Sequence, residues 1–165
     1  HYVGRTFIEP SQNIRSLGVK LKLSSTKTIV KNKRIILIDD SLVRGTTCLK
    51  IVKMLYEAGA NEVHVRIACP EIKYPDFYGV DMPTKEELLA HNRTNEEMCG
   101  YIKAKSLKFL SLNGLYNALT GNERNNNYPQ FSDHYFTGDY PIKPTDSLEG
   151  FKIKQLSLLS GKSNN

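Results

Sequence analysis

At 165 residues, with 39% hydrophobic and 24% charged positions, the chain has the length and composition of one domain that buries its own core. No run of eighteen apolar residues and no basic-then-apolar leader occurs, so the expectation is a cytoplasmic protein that neither spans a membrane nor is exported. Three cysteines, Cys48, Cys69 and Cys99, are odd in number and lack C-x-x-C spacing, which argues against a disulfide framework or a zinc site.

The formal charge of +6 is uneven. Residues 1–34 carry eight Lys or Arg against one acid, whereas residues 35–120 carry ten against eleven and residues 121–165 five against five. The basic first fifth has no paired aromatics and no nucleic-acid reader motif. A polyphosphate ligand accounts for the same charge with fewer assumptions.

Taken in order, residues 2–8 (Tyr-Val-Gly-Arg-Thr-Phe-Ile) mix loop and short strand. A short helix is expected from Pro10-Ser11, with Ile14 and Leu17 on one face and Gly18 closing it. Val19-Lys20-Leu21-Lys22-Leu23 alternates strictly and reads as a half-buried strand. Arg5, Arg15, Lys20 and Lys22 are the cations of interest here. Asn32-Lys33 turns the chain into Ile35-Ile36-Leu37-Ile38, a continuous aliphatic run that ends at Asp39. Such a run predicts an interior strand of a parallel sheet, buried on both faces.

A helix over residues 46–58 follows, with Leu49, Val52, Leu55 and Ala58 on one stripe and Gly59 as its left-handed stop. Residues 63–69 give the next strand, with Cys69 in it and His64 exposed. Strand, helix and strand of these lengths form a parallel crossover unit. Residues 70–83 are loop-like, and Tyr74, Phe77 and Tyr78 there either pack in the core or cover a base or sugar. Further helices are expected at 85–91 with a Thr84 cap, at 94–102 with Thr94 or Asn95 capping, and at 113–119; residues 107–110 form a third strand. After Gly121 the composition turns Asn-rich and polar, so residues 1–120 are expected to form the domain and 121–165 a tail, poorly packed beyond about 141.

The segment Asp39-Asp40-Ser41-Leu42-Val43-Arg44-Gly45-Thr46-Thr47 carries the chemistry. Two carboxylates end a strand where open α/β sheets bind ligands. A loop of small and hydroxylated residues then leads into a helix N-terminus, whose N–H groups and dipole favour an anion. The order builds a site for a phosphorylated sugar, with Asp39 and Asp40 placed to accept from vicinal hydroxyls or to hold Mg²⁺. No Lys follows Gly45, so this is not a Walker loop.

The segment resembles the phosphoribosylpyrophosphate (PRPP) loop of type I phosphoribosyltransferases. Other landmarks narrow the resemblance to the glutamine PRPP amidotransferase family: residues 2–8, Gly18-Val19-Lys20-Leu21-Lys22-Leu23, Glu57-Ala58-Gly59-Ala60, Tyr78-Gly79-Val80-Asp81-Met82-Pro83, Glu87-Leu88, Ser106-Leu107 and Phe136-Thr137-Gly138-Asp139-Tyr140-Pro141. They stand in the family's order and cover residues 1 to about 141.

The resemblance implies a partial type I phosphoribosyltransferase fold, an α/β parallel sheet flanked by helices, from the C-terminal part of that enzyme. Asp39 and Asp40 would hold the ribose hydroxyls and Mg²⁺, residues 41–47 would cradle the 5-phosphate, and Arg5 and Lys22 would act at the pyrophosphate. The implied reaction transfers ammonia from glutamine to PRPP, giving 5-phosphoribosylamine in purine synthesis. Purine nucleotides are implied as further ligands, and neither nucleic acid nor membrane.

The departures bear equally on function. The glutaminase half and the early strands of the transferase domain are not in this chain, and Lys103-Ala104-Lys105 stands where the family usually has Gly-Ala-Asp. The chain is therefore expected to be inactive alone, needing a glutaminase half or self-association. Some branches bind an iron–sulfur cluster with cysteines near Phe-Thr-Gly-x-Tyr-Pro; Ser132-Asp133-His134-Tyr135 offers none, so no cluster is expected. The alternative is a non-catalytic PRPP or nucleotide regulator on the same fold, although no helix-turn-helix accompanies it.

Overall fold

The structure is a computed structural model that describes residues 27–80 and 84–142. The expected elements before residue 27, the cations Arg5, Arg15, Lys20 and Lys22, residues 81–83 and the tail beyond 142 lie outside the described residues.

Three strands form the sheet: β1 (Arg34–Asp39), β2 (Glu62–Ile67) and β3 (Ser106–Phe109). They lie side by side in chain order, all parallel, with Ile35 opposite Val63 and Val65 opposite Leu107. A short helix, α1 (Lys27–Val30), precedes β1. Asn32 makes the turn between them in the left-handed region, at φ 61°.

Helix α2 (Thr46–Glu57) crosses from β1 to β2, and α3 (Asn95–Tyr101) lies between β2 and β3. Both pack on one face of the sheet. Cys48, Val52 and Leu55 of α2 and Met98 of α3, with Ile102 just past it, share a single core with Val63, Val65, Ile67 and Leu107. The buried stripe of α2 thus runs through Cys48 rather than Leu49, which is half-buried. Burying a large aliphatic side chain of this kind stabilises by about 1.5–3 kcal/mol.

The expectation of an interior β1 buried on both faces is not met. Among the described residues β1 is an edge strand, and Ile36 and Ile38 are 65% and 73% exposed. Successive side chains of a strand point to opposite faces, and both crossing helices cover the face of Ile35 and Leu37. His64, expected to be exposed, is half-buried on the other face, where Nδ1 meets Ser106 Oγ at 2.8 Å and Nε2 meets Glu62 Oε2 at 3.1 Å.

Boundaries differ by a residue or two. β2 ends at Ile67, so Cys69 lies just beyond it, half-buried, with its thiol directed at Pro70 O. The helix expected at 85–91 is a single 3₁₀ turn, Lys85–Glu87. Thr94 caps α3 in a full capping box, accepting from Glu97 N while the Glu97 carboxylate accepts from Thr94 N. Helix α4 (Leu112–Thr120) starts one residue earlier than expected, with Ser111 accepting from Gly114 N.

Residues 121–142 close over the loop at 70–80 around a short helix, α5 (His134–Thr137). Lys73 and Tyr74 donate their N–H to Tyr135 O, and the Tyr140 hydroxyl donates to Pro75 O. Among the described residues no helix is long and apolar enough to cross a membrane.

Candidate functional site: an acidic pair and an uncapped helix

The loop at 39–47 joins the carboxyl end of β1 to α2. Asp39 is half-buried, and its Oδ1 accepts from Asp40 N at 3.1 Å. Asp40 is exposed and accepts from the Ser41 hydroxyl at 3.1 Å. Burial pushes the Asp39 carboxyl above its ordinary value; the Asp40 N–H works against this, and the Asp40 charge adds to it. Negative charge is thus held at the strand end with no cation beside it among the described contacts.

Leu42, 3% exposed, roots the loop in the core, and Gly45 takes the N-cap position of α2 at φ 75°. A Cβ at Gly45 would lie 2.7 Å from Leu89 Cδ2 and 3.0 Å from the Tyr101 ring, so both conformation and space demand glycine. No side chain caps this helix. The first turn of any α-helix leaves N–H groups without intrahelical acceptors, and here they open beside the exposed Thr46 and Thr47 hydroxyls. The arrangement can take an anion on the helix end and a hydroxylated or cationic group on the carboxylates.

The two nearby thiols are inert at neutral pH. Burial, with the Asp39 charge, pushes Cys48 up to about 11, and burial with the Asp40 and Asp39 charges does the same for Cys69.

Residues 39–47 lie together in the loop between β1 and α2; Arg5 and Lys22 fall outside the described residues. Sequence reasoning missed what supports the loop. Arg44 Nε and Nη2 donate to Glu87 Oε2 at 3.1 and 2.8 Å, and Leu89 N donates to Val43 O at 2.8 Å. It also missed the buried node behind the 70–80 loop. Asp76 Oδ1 meets His134 Nε2 at 2.8 Å, and His134 Nδ1 meets Ser132 Oγ at 3.0 Å. Tyr78 packs on His134 and on Tyr140, Phe77 packs on Tyr140, and Tyr74 lies against Gly138; these aromatics cover the tail rather than the acidic pair.

A three-stranded parallel sheet flanked by helices, with an acidic pair at the carboxyl end of a strand, is an α/β fold of phosphoribosyltransferase type. No family model matches the chain. It is 56% identical over 161 residues to an amidophosphoribosyltransferase of Rhizobium etli, covering 97% of this chain and 32% of that protein. Its fold matches glutamine PRPP amidotransferase from B. subtilis, solved with ADP and GMP, at TM-score 0.69 and 43% identity, over 89% of this chain and 32% of the other. A second solved structure, of the allosteric regulatory enzyme of purine biosynthesis, matches at TM-score 0.65 and 42% identity, with the same coverage of 89% and 32%. The chain is thus similar to amidophosphoribosyltransferases and spans about a third of the length of the relatives it matches.

Proposed function

We propose that this chain supplies the PRPP-binding end of an amidophosphoribosyltransferase, in which ammonia drawn from glutamine displaces pyrophosphate at the ribose C1 to give 5-phosphoribosylamine for purine biosynthesis. The observation that carries this reading is the uncapped N-terminus of α2, opening directly after the acidic pair in a chain this similar to the R. etli protein. Backbone N–H groups and hydroxyls of residues 41–47 bind the 5-phosphate. Asp39 and Asp40 accept from the ribose hydroxyls. Arg5 and Lys22 are the candidate partners of the pyrophosphate. Such displacement passes through an oxocarbenium-like state, so these groups hold the sugar in line and keep the leaving group neutralised.

The donor set suits Mg²⁺. Two adjacent carboxylates at the end of β1, Asp39 and Asp40, present hard oxygens. That matches an ion that takes its remaining ligands from substrate oxygens and water. When bound, Mg²⁺ would neutralise charge on the departing pyrophosphate. Purine nucleotides are expected on the same phosphate loop. The free thiols fit a reducing cytoplasm.

Titrating the chain with PRPP and Mg²⁺, or with a nucleoside monophosphate, should move the amide NMR signals of residues 44–47. Unmoved signals at millimolar ligand would remove the binding role. Asp40→Asn should weaken PRPP binding, and Mg²⁺ alone should bind weakly. Assayed alone with PRPP and either glutamine or ammonia, the 165-residue chain should release little or no pyrophosphate. Adding the remainder of the relatives' length should restore turnover.

A further inference from the structure

Arg44 is the cation of the 39–47 loop, and a cation in an anion-binding loop is ordinarily taken as a ligand of the anion. Its surroundings give it a different task. Two of its guanidinium nitrogens are spent on one oxygen of Glu87, at 3.1 and 2.8 Å. On one side of it, Val43 O accepts from Leu89 N at 2.8 Å. On the other, Gly45 lies against the Leu89 side chain and the Tyr101 ring, with no room for a Cβ. Three consecutive loop residues are thus held by one strap, and the strap is rooted: Leu88, Leu89 and Ala90 are 1%, 1% and 3% exposed. Glu87 sits where the strap emerges from the core, so its carboxylate is carried on a fixed support.

We infer that Arg44 is a positioning residue rather than an anion ligand: with Glu87 it forms a tether that fixes the direction of the loop's N–H groups. The inference rests on the phosphate-binding reading of the loop given above. A site built from backbone N–H groups binds well only if their directions are set before the ligand arrives. Here the loop's own small side chains cannot set them, and the neighbouring strap can.

The two roles differ in sign. If Arg44 is a tether, Glu87→Gln loosens the loop and weakens PRPP binding. If Arg44 is a ligand, Glu87→Gln frees the guanidinium and strengthens it. Both side chains are more than half exposed, at 57% and 53%, so the expected loss is about two- to five-fold. Arg44→Gln should cost the same factor, and the double variant no more than either single one.

The test uses the whole 165-residue chain, with PRPP and Mg²⁺ as probe, and adds amide hydrogen exchange without ligand. Exchange at Gly45 and Leu89 should quicken in Glu87→Gln. Tighter PRPP binding by Glu87→Gln, affinity unmoved by either single variant, a loss on Arg44→Gln that Glu87→Gln does not share, or unchanged exchange at Gly45 and Leu89 would each overturn the tether. If the unaltered chain does not bind PRPP, the phosphate-binding reading fails by itself, and the exchange measurement alone decides whether the strap is tethered.

Discussion

The covered face of the sheet and the clasp of residues 121–142 over the 70–80 loop are held by opposite chemistry. On the sheet, Val52, Val63, Val65, Met98 and Ile102 are fully buried and apolar. Their contribution is non-directional and scales with area. In the clasp the buried groups are Asp133 and His134. Asp133 accepts from Arg124 at 2.6 and 3.2 Å and from the Tyr116 hydroxyl at 2.7 Å, while His134 is paired with Asp76. A buried polar network stabilises only while every member is satisfied. The core should therefore weaken in steps, and the clasp should fail as a unit.

The largest expected effect breaks the clasp. Asp133→Ala takes from Arg124, whose side chain is 8% exposed, its buried partner, leaving only the exposed Asp139 carboxylate at 2.8 Å, and strips the Tyr116 hydroxyl of its acceptor. The expected cost is about 3–5 kcal/mol by urea denaturation, the range for orphaning one partner of a buried pair. Replacing both partners by apolar residues, Arg124→Met with Asp133→Leu, should cost less than the single change. Leu107→Ala on the covered face should cost about 2–5 kcal/mol, through lost burial and a residual cavity. If Asp133→Ala cost no more than a surface substitution, the clasp would be ornamental to stability and the contrast would collapse.

Acid should separate the two regions next. Burial alone would push the Asp133 carboxyl up, but Arg124, Tyr116 and Thr137 outweigh it and hold it below its ordinary value. Burial of Asp76 is likewise outweighed by the Val80 and Tyr78 N–H groups and by His134 and Tyr135. For a carboxyl depressed in the folded state, the unfolded chain binds more protons as pH falls. The stability it gives is present above the ordinary value of 3.8 and is lost as pH drops through the folded-state value. Asp39 has the opposite sign: its carboxyl is raised, so protonation eases the acidic pair. Between about pH 5 and pH 2, exchange protection should therefore fail first at Tyr78, Val80 and residues 133–140, with the β2 amides still protected. Simultaneous loss in both regions would show one cooperative unit instead of two.

The same contrast explains what could be read from the sequence. Val63, Val65 and Ile67 alternate and the α2 residues recur at helical spacing, so the covered face was legible from periodicity. The 39–47 loop was legible because its chemistry is contiguous. Periodicity could not tell an interior aliphatic strand from an edge strand, and so the open face at Ile36 and Ile38 was missed. The clasp leaves no pattern, since Asp76 and His134 are 58 residues apart. Arg44 and Glu87 are 43 apart, and His64 finds Ser106 at a distance of 42. Pairs of this kind are set by how the elements pack, and no local propensity records them.

The smallest prediction sharpens the core side, where α2 and α3 close by the same device with different residues. At the end of α2, Gly59 N donates to Tyr56 O and Ala60 N to Leu55 O; at the end of α3, Lys103 N donates to Gly100 O and Ala104 N to Cys99 O. Both pairs make the helix stop that puts its pivotal residue in the left-handed region, at φ 94° for Gly59 and 58° for Lys103. Glycine adopts that conformation freely, whereas a side chain there costs on the order of 1 kcal/mol. Lys103→Gly removes this cost but enlarges the unfolded ensemble, which takes back about 0.4–1 kcal/mol. The net expectation is a gain of a few tenths, roughly 0.5 kcal/mol at most. Gly59→Ala runs the other way and harder, because the new Cβ would also press on Lys31 at 3.3 Å. A rise in urea midpoint for Lys103→Gly beside a fall for Gly59→Ala is the expected pair of results. If Lys103→Gly lowered the midpoint by more than the entropy difference allows, the lysine side chain would be making a contribution that its exposed position at the end of α3 gives no reason to expect.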